Sequence, residues 1–492
     1  MNEPDLISGS SQLPNIVPVI DTIPADLLTP LSVYLKLSKG AKDSFLLESV
    51  EGGENLARFS FIGAEPEFVV RGNDRQTTVS DGISETREAI GIIDYLKRHF
   101  SDALLDEHPD LPFFSGGAIG MIEFSASEWF EPSLRREASE GQAEAAFMVF
   151  RSLVAFDHAK QSIYLTTLVF TDEAQGDRKR LDGLLNAARN SNAERRRVLE
   201  SDGVCIPTCT AHIPTEPRSN WVRGEFENAV VGIKDSINAG DCYQVVLSQR
   251  FTKTTNATAV GIYRALRSLN PSPYMFLLNF GSLSVIGTSP EMLVRCRGVD
   301  LEYRPIAGTR KRGKTELEDR SLASEMQKDE KEIAEHLMLV DLGRNDLGRV
   351  AEFGSVTVDE LMSVERYSHV QHMVSSISAR LREGLTRFDA LAACFPAGTV
   401  SGAPKVKAIE MIREIEPTDR GIYAGAVGYF DYSGNMDTCI AIRTLVLEDG
   451  IATVQAGAGI VADSIPSLEY EETVNKTKAL LKAISIAEAQ GS

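Results

Sequence analysis

Residues Arg304 to Asn345 read RPIAGTRKRGKTELEDRSLASEMQKDEKEIAEHLMLVDLGRN. A short strand-like run ends in a Gly-Thr turn and the basic cluster Arg310-Lys311-Arg312. The next residues predict one helix over roughly Leu317 to Val340, because Ile333, Leu337 and Val340 recur at helical spacing as an apolar stripe. Glu332 and Glu335 stand three apart and so share a helical face. Two carboxylates so placed suit a hard divalent cation such as Mg²⁺, although an isolated Glu pair is more often a solvated acidic face.

The chain around this stretch has 492 residues, 43% of them hydrophobic and 25% charged. That fits a globular protein with about three domains' worth of sequence, or one large interlocked α/β unit. The net charge of −19, with no basic stripe, excludes non-specific binding to nucleic acid or anionic membrane. An anionic substrate then needs local Arg, Lys, backbone N–H groups or a metal. Cysteines stand at 205, 209, 242, 296, 394 and 439, and Cys205 and Cys209 form a CxxxC without a second pair, which suits neither a zinc site nor a disulfide scaffold. No basic, then apolar, leader opens the chain and no apolar run reaches ~18 residues, so the expectation is a cytoplasmic protein.

Residues 1–14 are polar and predict a frayed arm. Strands are expected at Ser44–Ser49, Arg58–Ile62 and Phe68–Arg71, a helix at Ala89–Phe100, a hairpin from Phe147–Asp157 and Gln161–Val169, and a charged helix over 173–200. Gly116-Gly117-Ala118-Ile119-Gly120 allows close backbone approach and is weak evidence for phosphate binding, since no Lys-Ser/Thr follows. Pro207, Pro214 and Pro217 mark 203–221 as a linker between an N-terminal region, 15–202, and a C-terminal one, 222–490.

In the second region, a helix through Phe226, Val230, Ile233 and Ile237 stops at Gly240, and a strand at Cys242–Phe251 sets Gln244 on one face with Val246 and Ser248. A helix near Val260–Leu269 ends at Asn270-Pro271; a hairpin, Tyr274–Phe280 with Ser284–Thr288, precedes Ser289-Pro290-Glu291, which opens another strand. In a strand over Tyr367–Leu381, His372 alternates with Val370, Val374 and Ser376, a pattern more often core than catalyst. The glycine-rich turn Pro396–Lys405 leads into a helix and offers hydroxyls and N–H groups to an anion, or is an ordinary cap. Strands follow at Ile422–Tyr432, Thr438–Leu447 and Ala452–Gln455, with Gly457-Ala458-Gly459 ending the third. Arg443 lies in an apolar run, where a bare charge is costly and calls for an anionic partner. Ser467 begins a last helix carrying Glu469, Glu471, Glu472 and Lys476.

Taken in order, DEKEIAEHLMLVDLGRND, GTVSGAPK, GAVGYF, TCIAIRT, QAGAGIV and EETVNKTKALL resemble the chorismate-utilising enzymes, and most nearly the large component of anthranilate synthase, with a weaker likeness through SFLLES and RFSFIG. The resemblance implies a large α/β (α+β) sandwich of antiparallel sheets flanked by helices, with the N-terminal region packed into it. It implies a lyase that takes chorismate and ammonia to anthranilate and pyruvate, the first step of tryptophan biosynthesis. By the same resemblance, Glu335 and Glu472 are the Mg²⁺ ligands, with Glu332 at or near them. Glu291 is the general acid, which requires a pocket that keeps it protonated. His372 assists in pyruvate elimination and aromatisation. Arg443 and Tyr429 bind the enolpyruvyl carboxylate with backbone donors of Gly457, Ala458 and Gly459; Gly308, Thr309 and Thr399 line the site, and Lys476 points the same way.

Two positions bear on the reaction. Relatives that add water carry a lysine base at the position of Gln244, and glutamine cannot remove a proton, whereas ammonia needs no base. Aminodeoxychorismate synthases carry a nucleophilic lysine at the position of Ala307. Both favour anthranilate synthesis, with aminodeoxychorismate synthase component I as the alternative and a non-catalytic tryptophan- or chorismate-binding regulator as the alternative of another class. LLES and NPSPYM resemble the halves of a tryptophan feedback site, formed by Leu47, Glu48, Ser49, Pro273, Tyr274 and Met275, although both also read as plain core. No GxCxG nucleophile turn is present, so a separate glutamine amidotransferase subunit is expected to deliver ammonia, in an α2β2 heterotetramer by family pattern.

Overall fold

The computed structural model describes residues 14–49, 58–106, 108, 111–135, 143–204, 206, 215–367 and 370–489. The arm up to residue 13, Cys205, Cys209 and much of the 203–221 linker lie outside these residues. Two sheets of twelve strands organise the chain. The first runs Ile16–Pro24, Ser162–Phe170, Ser152–Asp157, Phe59–Ala64, Asp43–Glu48, Tyr274–Phe280, Leu283–Ser289, Thr444–Glu448, Ile451–Ile460, Gln244–Thr254 and Arg218–Ser219, with Gly402–Ala403 beside Gln244–Thr254. The second runs Ile306–Lys311, Val370–Arg380, Asp300–Tyr303, Met292–Arg297, Met436–Ile440, Ala426–Asp431, Gly117–Ile122, Ala145–Phe150, Phe68–Gly72, Thr77–Ser80 and Glu85–Glu88, with Thr357–Arg366 beside Val370–Arg380. All these ladders are antiparallel. Neither sheet respects the division at 203–221. Asp43–Glu48 pairs with Tyr274–Phe280, and Gly117–Ile122 with Ala426–Asp431.

Alternation along the strands builds the layers. Phe45, Phe276 and Leu278 of the first sheet meet Ile119, Met121 and Met148 of the second in a core between the sheets. The opposite face of the first sheet, through Leu46 and Leu277, packs on helices Pro30–Leu37, Ala259–Leu269 and Pro466–Ala489. The outer face of the second, through Phe147, Leu301 and Ile377, packs on helices Ile92–Phe100, Glu330–Gly348 and Arg387–Cys394. The result is the expected sandwich. Gly117 and Gly120 serve strand pairing rather than a phosphate loop: a Cβ there would lie 2.1 and 1.9 Å from the carbonyls of Phe430 and Ala146.

Four local expectations change. The helix expected over Leu317–Val340 is two, Glu316–Met326 and Glu330–Gly348, because the Asp329 side chain accepts from the N–H groups of Lys331 and Glu332 and restarts the helix as an N-cap. Leu337 is exposed, and the buried stripe runs through His336, Leu339, Val340, Gly343 and Leu347. Thr438–Leu447 is not one strand. Met436–Ile440 belongs to the second sheet and Thr444–Glu448 to the first, and Ala441–Arg443 crosses between them. Gly457-Ala458-Gly459 does not end a strand but lies inside Ile451–Ile460, paired with Ser248, Leu247 and Val246. Glycine is needed at Gly457, where a Cβ would meet the Tyr423 hydroxyl at 2.7 Å and the Leu247 carbonyl at 3.1 Å; at Gly459 it would meet only the end of the Gln244 side chain, at 2.5 Å.

Candidate active site

A cavity of about 680 Å³ opens where the two sheets part. Glu291 and Arg443 enter it from two neighbouring crossings between the sheets. Pro290 and Glu291 link Leu283–Ser289 of one sheet to Met292–Arg297 of the other, and the Ile440 N–H donates to the Glu291 carbonyl at 3.1 Å, joining the crossings. Arg443 turns its backbone into the left-handed region, φ +49°, a costly conformation for a side chain of that size and one that concentrates at functional positions.

Glu291 is 7% exposed, and its carboxyl faces the Thr399 hydroxyl. Burial pushes the Glu291 carboxyl up to about 7, and Thr399, Arg443 and Lys476 pull it back only in part. Burial holds the Arg443 guanidinium below its ordinary value, with Glu291 acting in the opposite sense. No carboxylate among the described residues forms an ion pair with Arg443, so the cavity offers a fork of donors to an incoming acid. His372 lies across the cavity on Val370–Arg380. Its Nδ1 is 3.0 Å from the Thr309 hydroxyl and 3.2 Å from the Gly308 carbonyl, to which it donates in the Nδ1-protonated form. Gly308 supplies that carbonyl from a bulge at φ +64° between Ala307 and Thr309.

Glu335 and Glu472, far apart in sequence, line the same cavity with Glu469 and Asp463. Burial, then the nearby charges of Glu332 and Glu472, raise the pKa of Glu335; burial also raises that of Glu469, with Glu472 adding to it. Lys476 answers this charge, donating to Glu472 at 2.7 Å and to the Gly457 carbonyl at 2.9 Å. Among the described residues no three His, Cys, Asp or Glu side chains gather to hold a cation unaided. Glu335 and Glu472 lining one cavity fit Mg²⁺ nonetheless, because that ion takes one or two protein carboxylates and completes its shell with water and ligand oxygens.

Residues 33–482 match the chorismate binding enzymes. The chain belongs to that family. It is 44% identical to anthranilate synthase component 1 of Pseudomonas putida over 99% of both chains, and 45% identical to that of Acetivibrio thermocellus over 96% of both. Its fold superposes on anthranilate synthase component I of Streptococcus pneumoniae with TM-score 0.76 and 34% identity, covering 96% of this chain and all of that one. The isochorismate synthase MenF of Escherichia coli, 19% identical, shares the fold with TM-score 0.71 over 96% of each chain. The cavity is lined by residues between Gln244 and Lys476, and no helix among the described residues is long and apolar enough to cross a membrane.

Most residues singled out in the sequence meet here. Gln244, Glu291, Thr309, Glu335, His372, Thr399, Arg443, Gly457, Gly459, Glu472 and Lys476 line the cavity, with Gly308 adjoining through Thr309 and His372. Three do not. Tyr429 lies on Ala426–Asp431, stacks on Phe114 at 4.2 Å and faces a different cavity; Tyr423 takes the place expected for it, its phenol pushed up to about 12 by burial. Ala458, expected as a backbone donor, does not line the cavity; its side chain points into the core, because successive strand residues face opposite ways. Glu332 turns out of the cavity to Arg310, at 2.8 Å. Lys331, Asp463 and Glu469 line the cavity as well. Glu469 stands one helical turn before Glu472 and Lys331 one before Glu335, so spacing could have found both.

Leu47, Glu48, Ser49, Pro273, Tyr274 and Met275 line the second cavity together, with Phe61, Arg295, Tyr429 and Asp437. Glu48 is buried and bonded to the Tyr263 hydroxyl at 2.5 Å and Arg267 at 3.1 Å. Tyr274 donates to Asp437 at 3.0 Å.

Proposed function

We propose that the chain converts chorismate and ammonia to anthranilate, pyruvate and water, using Mg²⁺, as the first step of tryptophan biosynthesis. The observation that carries this reading is a buried acid, Glu291, poised near pH 7 in one cavity with an unpaired Arg443 and the Glu335/Glu472 pair. Arg443 and the Tyr423 hydroxyl take the enolpyruvyl carboxylate, beside a strand whose outer edge is unpaired beyond Val454. Glu335 and Glu472 hold Mg²⁺, which when bound neutralises the ring carboxylate and favours departure of the ring hydroxyl. Glu291 donates its proton to that hydroxyl, so water leaves rather than hydroxide. Ammonia attacks ring carbon 2. His372, fixed through Nδ1 to Gly308, stands at the ring for the proton loss that accompanies pyruvate elimination.

Ala307 in the cavity wall offers no nucleophile, which supports direct attack by ammonia over the aminodeoxychorismate route. A separate glutamine amidotransferase supplies ammonia, in keeping with the component 1 names of the relatives, in an α2β2 heterotetramer working in the cytoplasm. Tryptophan in the second cavity inhibits by binding more tightly to an inactive arrangement. The test is direct. Chorismate, Mg²⁺ and excess ammonium near pH 7 should give the blue fluorescence of anthranilate, and EDTA should abolish it; 4-amino-4-deoxychorismate as product would replace this reading with the other.

A further inference from the structure

We propose that a cavity of about 250 Å³ behind Arg443 is the route by which the small carboxylate product leaves the site. This rests on the reading of Arg443 as anchor of the enolpyruvyl carboxylate. The cavity shares Pro290, Ile306, Thr309, His372, Arg443 and Lys476 with the main one. Its far wall is the Asn270–Pro273 turn and the Asn475, Ala479 and Leu480 stretch of the last helix.

Charge separates the two spaces. The main cavity carries Glu291, Glu335, Asp463, Glu469 and Glu472. The smaller one has no Asp or Glu among its lining residues, although the chain's net charge is −19. Its charged residues are Arg443 and Lys476, and the Lys476 ammonium is already bonded to Glu472, so Arg443 sets the field. Asn270, Ser272, Thr288 and Asn475 add neutral amide and hydroxyl groups. Such a wall draws neither ammonium nor Mg²⁺ and accepts a three-carbon keto acid. In the last step the ring C–O bond breaks and its electron pair leaves on the enolpyruvyl oxygen. The ring loses a proton to become aromatic, and the enolpyruvate takes one up at its methylene carbon. The pyruvate carboxylate is then still on Arg443, which already borders the smaller cavity, while the aromatic acid faces the wide mouth. The two products part in opposite directions.

Asn475→Leu and Ala479→Phe narrow the route at positions that do not line the main cavity. With enzyme in excess of chorismate, the first-turnover rate of anthranilate formation should stay within about twofold of wild type. Steady-state kcat should fall at least about fivefold, with a burst of anthranilate equal to the enzyme, as when product release becomes limiting. Asn475 is exposed, so its variant keeps the test alive should Ala479→Phe fail to fold. Unchanged kcat in the folded variants overturns the proposal. So does a first-turnover rate that falls and recovers with added ammonium, which would make the cavity an ammonia inlet. A wild-type chain that yields no anthranilate and pyruvate would sink the underlying assignment instead, before any variant is made.

Discussion

Glu291 and Arg443 occupy two neighbouring crossings between the sheets, and each shifts the proton affinity of the other. The pair links carboxylate binding to acid strength. A bound carboxylate that neutralises Arg443 weakens its pull on Glu291 and keeps the acid protonated.

The first prediction is a pH profile. Activity that needs protonated Glu291 should fall as pH rises through about 7. Glu291→Gln should lower kcat about 10²- to 10⁴-fold, leave the chorismate KM within a few-fold and remove that limb. Arg443→Gln should raise the chorismate KM and move the limb of the residual activity to higher pH.

Folding stability should respond to the same group. The folded-state pKa of Glu291 lies above its unfolded value, so the folded chain binds the extra proton between about 4.5 and 7 and loses stability as pH rises across that window. The loss amounts to roughly 3 kcal/mol. Chemical denaturation at pH 5 and pH 8 should show a smaller difference for Glu291→Gln than for wild type.

Mg²⁺ affinity, read by titration calorimetry, should drop on the order of tenfold or more in Glu335→Gln and in Glu472→Gln. Glu332→Gln should change it far less, because that carboxylate is occupied by Arg310.

Gly457→Ala should cost about 1–3 kcal/mol and lower the melting temperature, since its Cβ meets the Tyr423 hydroxyl, Val246 and the Leu247 carbonyl within 3.1 Å. Gly459→Ala meets only the movable end of Gln244 and should cost less stability.

Ser49→Phe fills the second cavity and should abolish inhibition by tryptophan while leaving turnover within about twofold. Inhibition unchanged by this substitution would remove the cavity from regulation.

The sequence revealed elements better than their continuations. The hairpin of Tyr274–Phe280 with Ser284–Thr288 and the stop at Gly240 are local signals, and both hold in the fold. Whether a strand keeps to its sheet is not local. IAIRT reads as uninterrupted strand, yet the chain changes sheets there, and only the cost of a bare Arg443 hinted at it. Tyr429 and Tyr423 are six residues apart in one segment, and which cavity each faces is decided by a turn at Ala424, φ +66°, that no periodicity announces. Ordered motifs led to Glu335 and Glu472.

The pairing of Asp43–Glu48 with Tyr274–Phe280, and of Gly117–Ile122 with Ala426–Asp431, bears on how the protein is made. Neither sheet can close while the ribosome still holds the last third of the polypeptide. The nascent chain therefore waits with open strand edges, and chaperone demand should be set by translation of that final segment.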